Sequence, residues 1–530
     1  MDEMRAITRA VLSRVWRVRV EPAENDMIGV GKVGTVLVAA MGALALASCG
    51  GGGSSVVSPG EGAFATGGTG SSGGGTGGNG VASSDCPTGF INLGTVANGT
   101  LRSCGIPQLV VSNLTVPFRP GTAYRIDGRV AVGEDQGSDA QTPRAGARSG
   151  VLTIEPGVTV FGGISEFLVV NRGSRIVADG TASRPIIFTS LNDLNGGPDL
   201  RGQWGGIVIA GRAPINRCPP TATAFPANPT ACEFRFEAIQ TINWGGNAPT
   251  DSSGTLRYIQ VKEAGFEVAP NEELNGITFG GVGNGTLVDF VQVHGSADDA
   301  VEFFGGTVNV RHLILDQWDD DGFDTDEGFT GSAQYVINFT DAPTEESRCF
   351  EMSSAGSTSG GVPLLRSTPR VSNFVCRLGL VGTAFDSRQH QGIVMNSGTR
   401  ADFLNGLVVS ENTRIPCLDV DGASTLADPR PAFRSVVFAC AGGPYRTTDG
   451  DQDAAPEALF TAGTNNLATG YISTLTQVFI NGGNESGRVA TNPTTVSPFF
   501  LATSFIGAVS GPNDTWFVGW TCGLAGATSC

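Results

Sequence analysis

Carboxylates recur at a fixed interval in one stretch of this sequence. Asp298-Asp299 is followed 22 positions later by Asp320-Asp321, and Glu302 by Asp324, while Asp319, Asp326 and Glu327 extend the patch. A chain that returns to the same place every 22 residues would stack these side chains carboxylate above carboxylate. Unit charges about 5 Å apart repel by about 3 kcal/mol at an effective dielectric near 20, and by under about 1 kcal/mol in water. Several such contacts call for a neutraliser. A hard cation held by oxygens is one, and Ca²⁺ suits flexible carboxylate sites. Asp298, Asp299, Glu302, Asp320, Asp321 and Asp324 are therefore candidate metal ligands, with Ca²⁺ as the candidate cofactor. Raised pKa values, Arg311 nearby, and turn hydrogen bonds from Asp side chains to backbone amides are rival solutions.

The same patch has a catalytic reading. Paired carboxylates act as general acid and base on glycosidic bonds. A lyase would instead need Ca²⁺ against a substrate carboxylate and an Arg or Lys base, for which Lys262, Arg311, Arg348 and Arg388 are available. Nothing in the sequence brings one of them to the patch, and an acidic face repels uronates without a metal. His294 and His312 fall out of step with each other, since 294 plus 22 is 316, and His390 reads as an exposed loop residue. Trp204, Trp244 and Trp318 could stack on sugars or pack at the core or rim. No nucleophile elbow, Walker loop or dinucleotide fingerprint stands in a fitting context.

The elements that must position these residues are short β-branched segments. Tyr258–Lys262, Phe290–His294, His312–Asp316 and Tyr335–Phe339 begin 32, 22 and 23 residues apart, the 32 being one unit plus an insertion around Phe266–Glu273. Ile277–Phe279, Val301–Phe303 and Phe323–Thr325 form a second series in step, and Gly285–Val288 with Gly306–Val310 a third. Three short strands per unit of about 22 residues predict an all-β, right-handed parallel β-helix with one strand on each of three faces per coil. A propeller would need blades of about 40–50 residues, and a sandwich would not keep turns and strands in phase. Paired glycines such as Gly280-Gly281 and Gly305-Gly306 mark tight corners.

Composition sets the compartment and excludes some partners. The 530 residues are 40% apolar, enough for a core, and the net charge of −17 argues against nucleic acid. Val33–Leu46 is an apolar signal segment, with the start of translation open between Met1 and Met27. It ends in Leu46-Ala47-Ser48-Cys49, which resembles the bacterial lipoprotein box, so Cys49 is the expected lipidation site and membrane anchor. The stretch 50–84 holds 15 glycines and 7 serines and reads as a flexible tether. Gly50 after the cysteine favours the outer membrane, facing the periplasm or the cell surface, by resemblance to known lipoproteins. Ten further cysteines fall in neighbouring pairs, Cys86/Cys104, Cys218/Cys232, Cys349/Cys376, Cys417/Cys440 and Cys522/Cys530, and five local bridges are the simplest reading in an oxidising compartment. No CxxC or Cys/His cluster suggests zinc.

Longer runs carry a family resemblance: LTIEPGVTVFGG (152–163), LVVNRGSRIVADGTASRPIIFTS (168–190), GQWGGIVIAGRAPIN (202–216), SGTLRYIQVKEAGFE (253–267), the stretch from Glu273 to Gly331, and the closing FIGAVSGPNDTWFVGWT (505–521). Together they resemble exported bacterial β-helix lipoproteins. The resemblance implies a pectate-lyase-like superhelix and no single activity. The expected organisation is a signal peptide at 1–48, a lipidated cysteine and tether at 49–84, an N-terminal cap at 85–149, a regular helix at 150–342, and at 343–530 a continuation with long loops and a terminal cap. The expected role is surface binding or scaffolding toward a polysaccharide or an envelope protein, the alternative being a polysaccharide lyase or glycoside hydrolase.

Overall fold

The computed structural model describes residues 81–530 except 219–231, 237, 238, 240, 270, 271, 342–346, 355–364, 380–389, 427–431, 447–453 and 525–528. The signal segment, Cys49 and Arg388 lie outside the described residues. Among the described residues no helix is long and apolar enough to cross a membrane.

From Leu101 to Cys440 the strands of the two large sheets pair in parallel, with two small antiparallel ladders (Phe234–Arg235 with Asn243–Trp244, Glu267–Ala269 with Glu272–Glu273) set outside them, so the chain is an all-β parallel β-helix. A short sheet passes through Phe167–Val170, Gly206–Ala210, Ile277–Gly280, Val301–Phe304, Asp321–Asp326, Arg348–Met352, Gln391–Met395 and Leu418–Val420. The other two faces begin as separate columns. Arg175–Asp179 pairs with the first half of Gly254–Lys262, and Ile186–Ser190 with its second half. From that rung onward both faces run as one bent strand: Leu287–His294, Asn309–Asp316, Ser332–Thr340, Arg370–Leu378, Asp402–Ser410 and Ala432–Cys440. Thus the three strands expected per coil become two, one of them cornered.

A single left-handed residue makes each corner: Tyr258, Phe290, His312, Tyr335, Asn373, Asn405 and Ser435, with φ between 48° and 62°. These seven positions fall opposite one another in the register. Left-handed backbone costs a non-glycine residue roughly 1–2 kcal/mol, and here each corner is held by hydrogen-bonded rungs above and below. The side chains stack outside the corner, Tyr258 on Phe290 at 4.3 Å, Phe290 on His312 at 4.2 Å and His312 on Tyr335 at 4.9 Å between ring centroids.

Inward columns form the core. Ile277, Val301, Phe323, Phe350, Ile393 and Leu418 stack from the short sheet, and Leu256, Val288, Val310, Ala333, Val371, Phe403 and Phe433 from the long one, all essentially inaccessible. Gly406 interrupts such a column because a Cβ there would stand 2.0 Å from the Phe374 ring. All five expected disulfides are present, Cys86–Cys104, Cys218–Cys232, Cys349–Cys376, Cys417–Cys440 and Cys522–Cys530. Cys349–Cys376 ties a short-sheet strand to the next long-sheet strand.

The two ends differ from a simple cap-and-helix plan. Parallel rungs already begin at Leu101, and the antiparallel pairing of Ile91–Val96 with Leu101–Gly105 closes the first edge. At the other end the helix Ala454–Thr461 sets Phe460 against Phe433 and Phe438, covering the last rung. The chain then turns back. From Thr464 to Cys522 it runs down the outside of the long sheet, over the outward column Ile314, Ile337, Val375, Leu407 and Val437. An outward column that apolar must be covered, and this returning segment covers it.

Candidate cation site on the short sheet

The outward face of the short sheet has the opposite character. Its register aligns Thr278, Glu302, Asp324, Glu351 and Val394 in one column. The preceding turns place Asp298 and Asp299 beside Asp320 and Asp321, the Asp321 N–H donating to Asp299 Oδ1 at 3.0 Å. The 22-residue return therefore brings together the acidic residues singled out from the sequence. One oxygen each from Asp298, Asp299 and Asp320 lie within 4.8 Å of one another, and so do oxygens of Asp299, Glu302 and Asp324. Asp299 belongs to both triads. Asp321 belongs to neither, and its Oδ2 lies 3.5 Å from Arg348 Nη1.

Burial sets the electrostatics. Asp299 and Asp321 are 5% and 2% exposed. Desolvation pushes the Asp299 carboxyl well above the usual carboxylate range, with Asp298, Glu302, Asp324 and Asp321 adding repulsion. Asp321 is raised chiefly by desolvation, which Arg348 offsets in part. Asp324 is raised by desolvation, then by Glu351 and Asp326, against a side-chain hydrogen bond with Glu302. Asp321 Oδ1 and Asp324 Oδ1 are buried with no hydrogen-bond partner among the described residues. Around them, Asn275 Nδ2 donates to Glu302 Oε2 at 2.7 Å, Arg348 Nη1 to Glu351 Oε2 at 2.7 Å, and Arg201 Nη1 sits 3.0 Å from Asp319 Oδ1.

Other expected residues lie elsewhere. Arg311, a rival neutraliser of the patch, is on the long sheet opposite Asp289 and Gln334, with its guanidinium over the Phe499 ring; Arg348 holds the place beside the acids. Lys262 Nζ is taken up by Asp193 Oδ2 and the Cys530 carbonyl oxygen, both at 2.7 Å. Trp204, Trp244 and Trp318 are at most 2% exposed, so they pack and offer no sugar platform. Asp326 Oδ1 accepts from the Glu327 N–H, and Glu327 accepts from the Trp244 indole at 3.3 Å and pairs with Arg217. His390 is 4% exposed and accepts from the Ser347 N–H, contrary to an exposed loop residue.

One cluster was not anticipated. His294 is buried between Asp316 on Nδ1 and Asp199 on Nε2, at 2.9 Å for the latter. The two carboxylates outweigh the desolvation of the ring and push its pKa up to about 10, so the imidazole is a fixed cation. The interval that sets His294 out of step with His312 sets it opposite Asp316, and that arithmetic was the available signal. Asp199 reaches the ring from a loop 95 residues earlier, which no periodicity announces. His312 is sandwiched between Phe290 and Tyr335 and hydrogen-bonds Asp289 at 2.7 Å.

With this geometry in place, comparison with known families returns one match, the Pectate-lyase like beta helix domain, over residues 125–441. The chain belongs to the pectate-lyase-like β-helix family. Comparison with curated proteins and with solved structures finds no match. In this pectate-lyase-like helix the acidic column is half-buried, with Glu302, Asp324 and Glu351 partly exposed beside the buried Asp299 and Asp321. Phe236, Trp244 and the Cys218–Cys232 bridge pack on Val208, Ala210 and Phe304 of the short sheet, the last of these on the same strand as Glu302.

Proposed function

We propose that the protein is a lipid-anchored, calcium-stabilised β-helix that binds a glycan or another envelope component along the acidic face of the short sheet, tethered to the outer membrane at Cys49. One observation carries the reading. Five carboxylates stand in two triads that share the buried Asp299, and within them Asp324 Oδ1 is buried with no hydrogen-bond partner among the described residues. A buried charge without a partner costs several kcal/mol, so such a group either takes up a proton or meets a cation. The donor set is all oxygen and all carboxylate, which fits Ca²⁺. Asp298, Asp299, Glu302, Asp320 and Asp324 would hold the ion, whose charge would offset the stack. Membership of the pectate-lyase-like family supports a carbohydrate-related role.

Binding is favoured over cleavage by the same geometry. Arg348, the cation beside the column, is committed to Glu351 and Asp321, and so is poorly placed to accept a proton as a lyase base would.

The test is a polysaccharide panel on the mature chain, with and without calcium, scored for retention and for released product. Calcium-dependent retention without product is expected. Product would replace this reading with a lyase or hydrolase, and absence of retention on every glycan would remove the carbohydrate partner.

A further inference from the structure

The face under the returning segment is built to read main chain. Five rungs each project one buried carboxamide into it: Gln260, Gln292, Gln334, Asn373 and Asn405, all 6% exposed or less. Three of them pair both ways with a single residue of the segment. Gln292 Nε2 donates to the Cys522 carbonyl at 3.0 Å while its Oε1 accepts the Cys522 N–H at 2.9 Å. Gln334 does the same with Leu501 at 2.9 and 2.8 Å, and Asn405 with Thr491 at 2.8 Å in both directions. Gln260 donates to the Trp520 carbonyl at 2.7 Å and Asn373 to that of Phe505 at 2.9 Å. A carboxamide offers one donor edge and one acceptor, the pair that a neighbouring strand's backbone would offer. Between the amides, Ile314, Ile337, Val375 and Leu407 supply an apolar floor.

We infer that this face is a peptide-recognition surface, that the chain's own segment from Gly470 to Leu524 is its resident occupant, and that the same segment of a second copy can take its place. Recognition runs through the occupant's backbone, so it does not depend on a covalent joint. None of the disulfides fastens the segment to the coils: both cysteines of Cys522–Cys530 follow Gly470, and the other four bridges lie within the body. The main chain at Thr469-Gly470, where both residues are exposed, is therefore the link whose cleavage leaves only non-covalent contacts.

The experiment inserts a protease recognition sequence between Thr469 and Gly470 of the full chain and cleaves the folded protein. The fragment is expected to co-elute with the body under native conditions and to separate in denaturant. Warmed below its melting temperature with a tenfold excess of labelled 470–530 fragment, the cleaved protein should take up label saturably. In Gln292→Ala/Gln334→Ala, whose uncleaved form is checked for an intact fold, the fragment should dissociate at least tenfold faster, as loss of buried amide pairs requires. Separation of the wild-type fragment under native conditions, failure to take up label, or equal retention in the double variant would each overturn the inference.

Discussion

Two outward columns of the same coils handle polar groups in opposite ways. On the long sheet, Gln260 and Gln292 lead into Ile314, Ile337, Val375, Leu407 and Val437, and the returning segment satisfies the amides and covers the apolar residues. On the short sheet, Glu302, Asp324 and Glu351 stand in register, half-buried, beside the buried Asp299 and Asp321, with Asn275 and Arg348 among their polar neighbours. A parallel stack copies whatever a position carries onto the next rung about 4.8 Å away. Amides tolerate the copying because each is donor and acceptor at once, whereas ionised carboxylates only accept and repel. One face closes on its own chain, and the other gathers its acids around Arg348.

The comparison can be broken most violently by exchanging the chemistry of the two faces. Ile337→Asp would place an unpaired charge under the returning segment, and we expect a loss of about 3–5 kcal/mol, read as a melting temperature lowered by many degrees or as failure to fold. A melt close to the parent's would mean that the segment does not cover this column in solution. Removing calcium should come next. Chelation is expected to lower the melting temperature by several degrees, and Asp324→Asn or Asp320→Asn to abolish that response. In the chelated protein Asp324→Asn should instead stabilise by about 1–3 kcal/mol, since repulsion and an unsatisfied oxygen are relieved together. A melt indifferent to chelation would dispose of the cation.

Acid gives a smaller and more diagnostic effect. Unfolded carboxylates titrate near about 4, and in the fold Asp299, Asp321 and Asp324 titrate higher. The folded chain then binds more protons, so the chelated protein should lose stability as pH rises through the folded-state values and regain it toward pH 4. Glu134 and Asp139 oppose this at the acid end: hydrogen bonds from Arg148 and from Thr142 and Asn247 hold them at about 2, so their contribution is lost as pH falls from about 4 toward 2. Thermal melts of the chelated parent and of Asp299→Asn between pH 4.5 and 8 should therefore diverge toward the alkaline side, and parallel curves would contradict the assignment. Smallest of all is the exposed Arg257–Asp179 pair, whose side chains are both 41% accessible. Arg257→Met should cost under about 1 kcal/mol by denaturant titration, and a larger loss would show that ion pairs on the flank matter more than the two columns.

Much of this was legible because a repeat turns spacing into contact. The 22-residue interval between Asp299 and Asp321, or between Glu302 and Asp324, is the return distance of one rung, so the acidic site could be read before any coordinates. Neighbouring cysteines likewise meet because one turn or one rung separates them. The corners were not legible. Tyr258, Phe290 and His312 take left-handed backbone although nothing in a bulky side chain signals it, and only the rungs on either side explain why the strain is held. Asp199 at His294, and Arg348 rather than Arg311 beside the acids, depend on which loop or face approaches in space.

By itself the sequence determined the repeat, the all-β parallel helix and the stacking of carboxylates, because each follows from short-range spacing multiplied by a constant rung; it made five local disulfides the simplest reading, and the structure settled their pairing. Only the tertiary structure decided that two faces merge at a left-handed corner and that residues 464–522 return along the coils, with buried amides fastened to their backbone. Those contacts join positions separated by as many as 260 residues, and they are made to main-chain atoms, which every sequence possesses alike and which therefore leave no pattern to read.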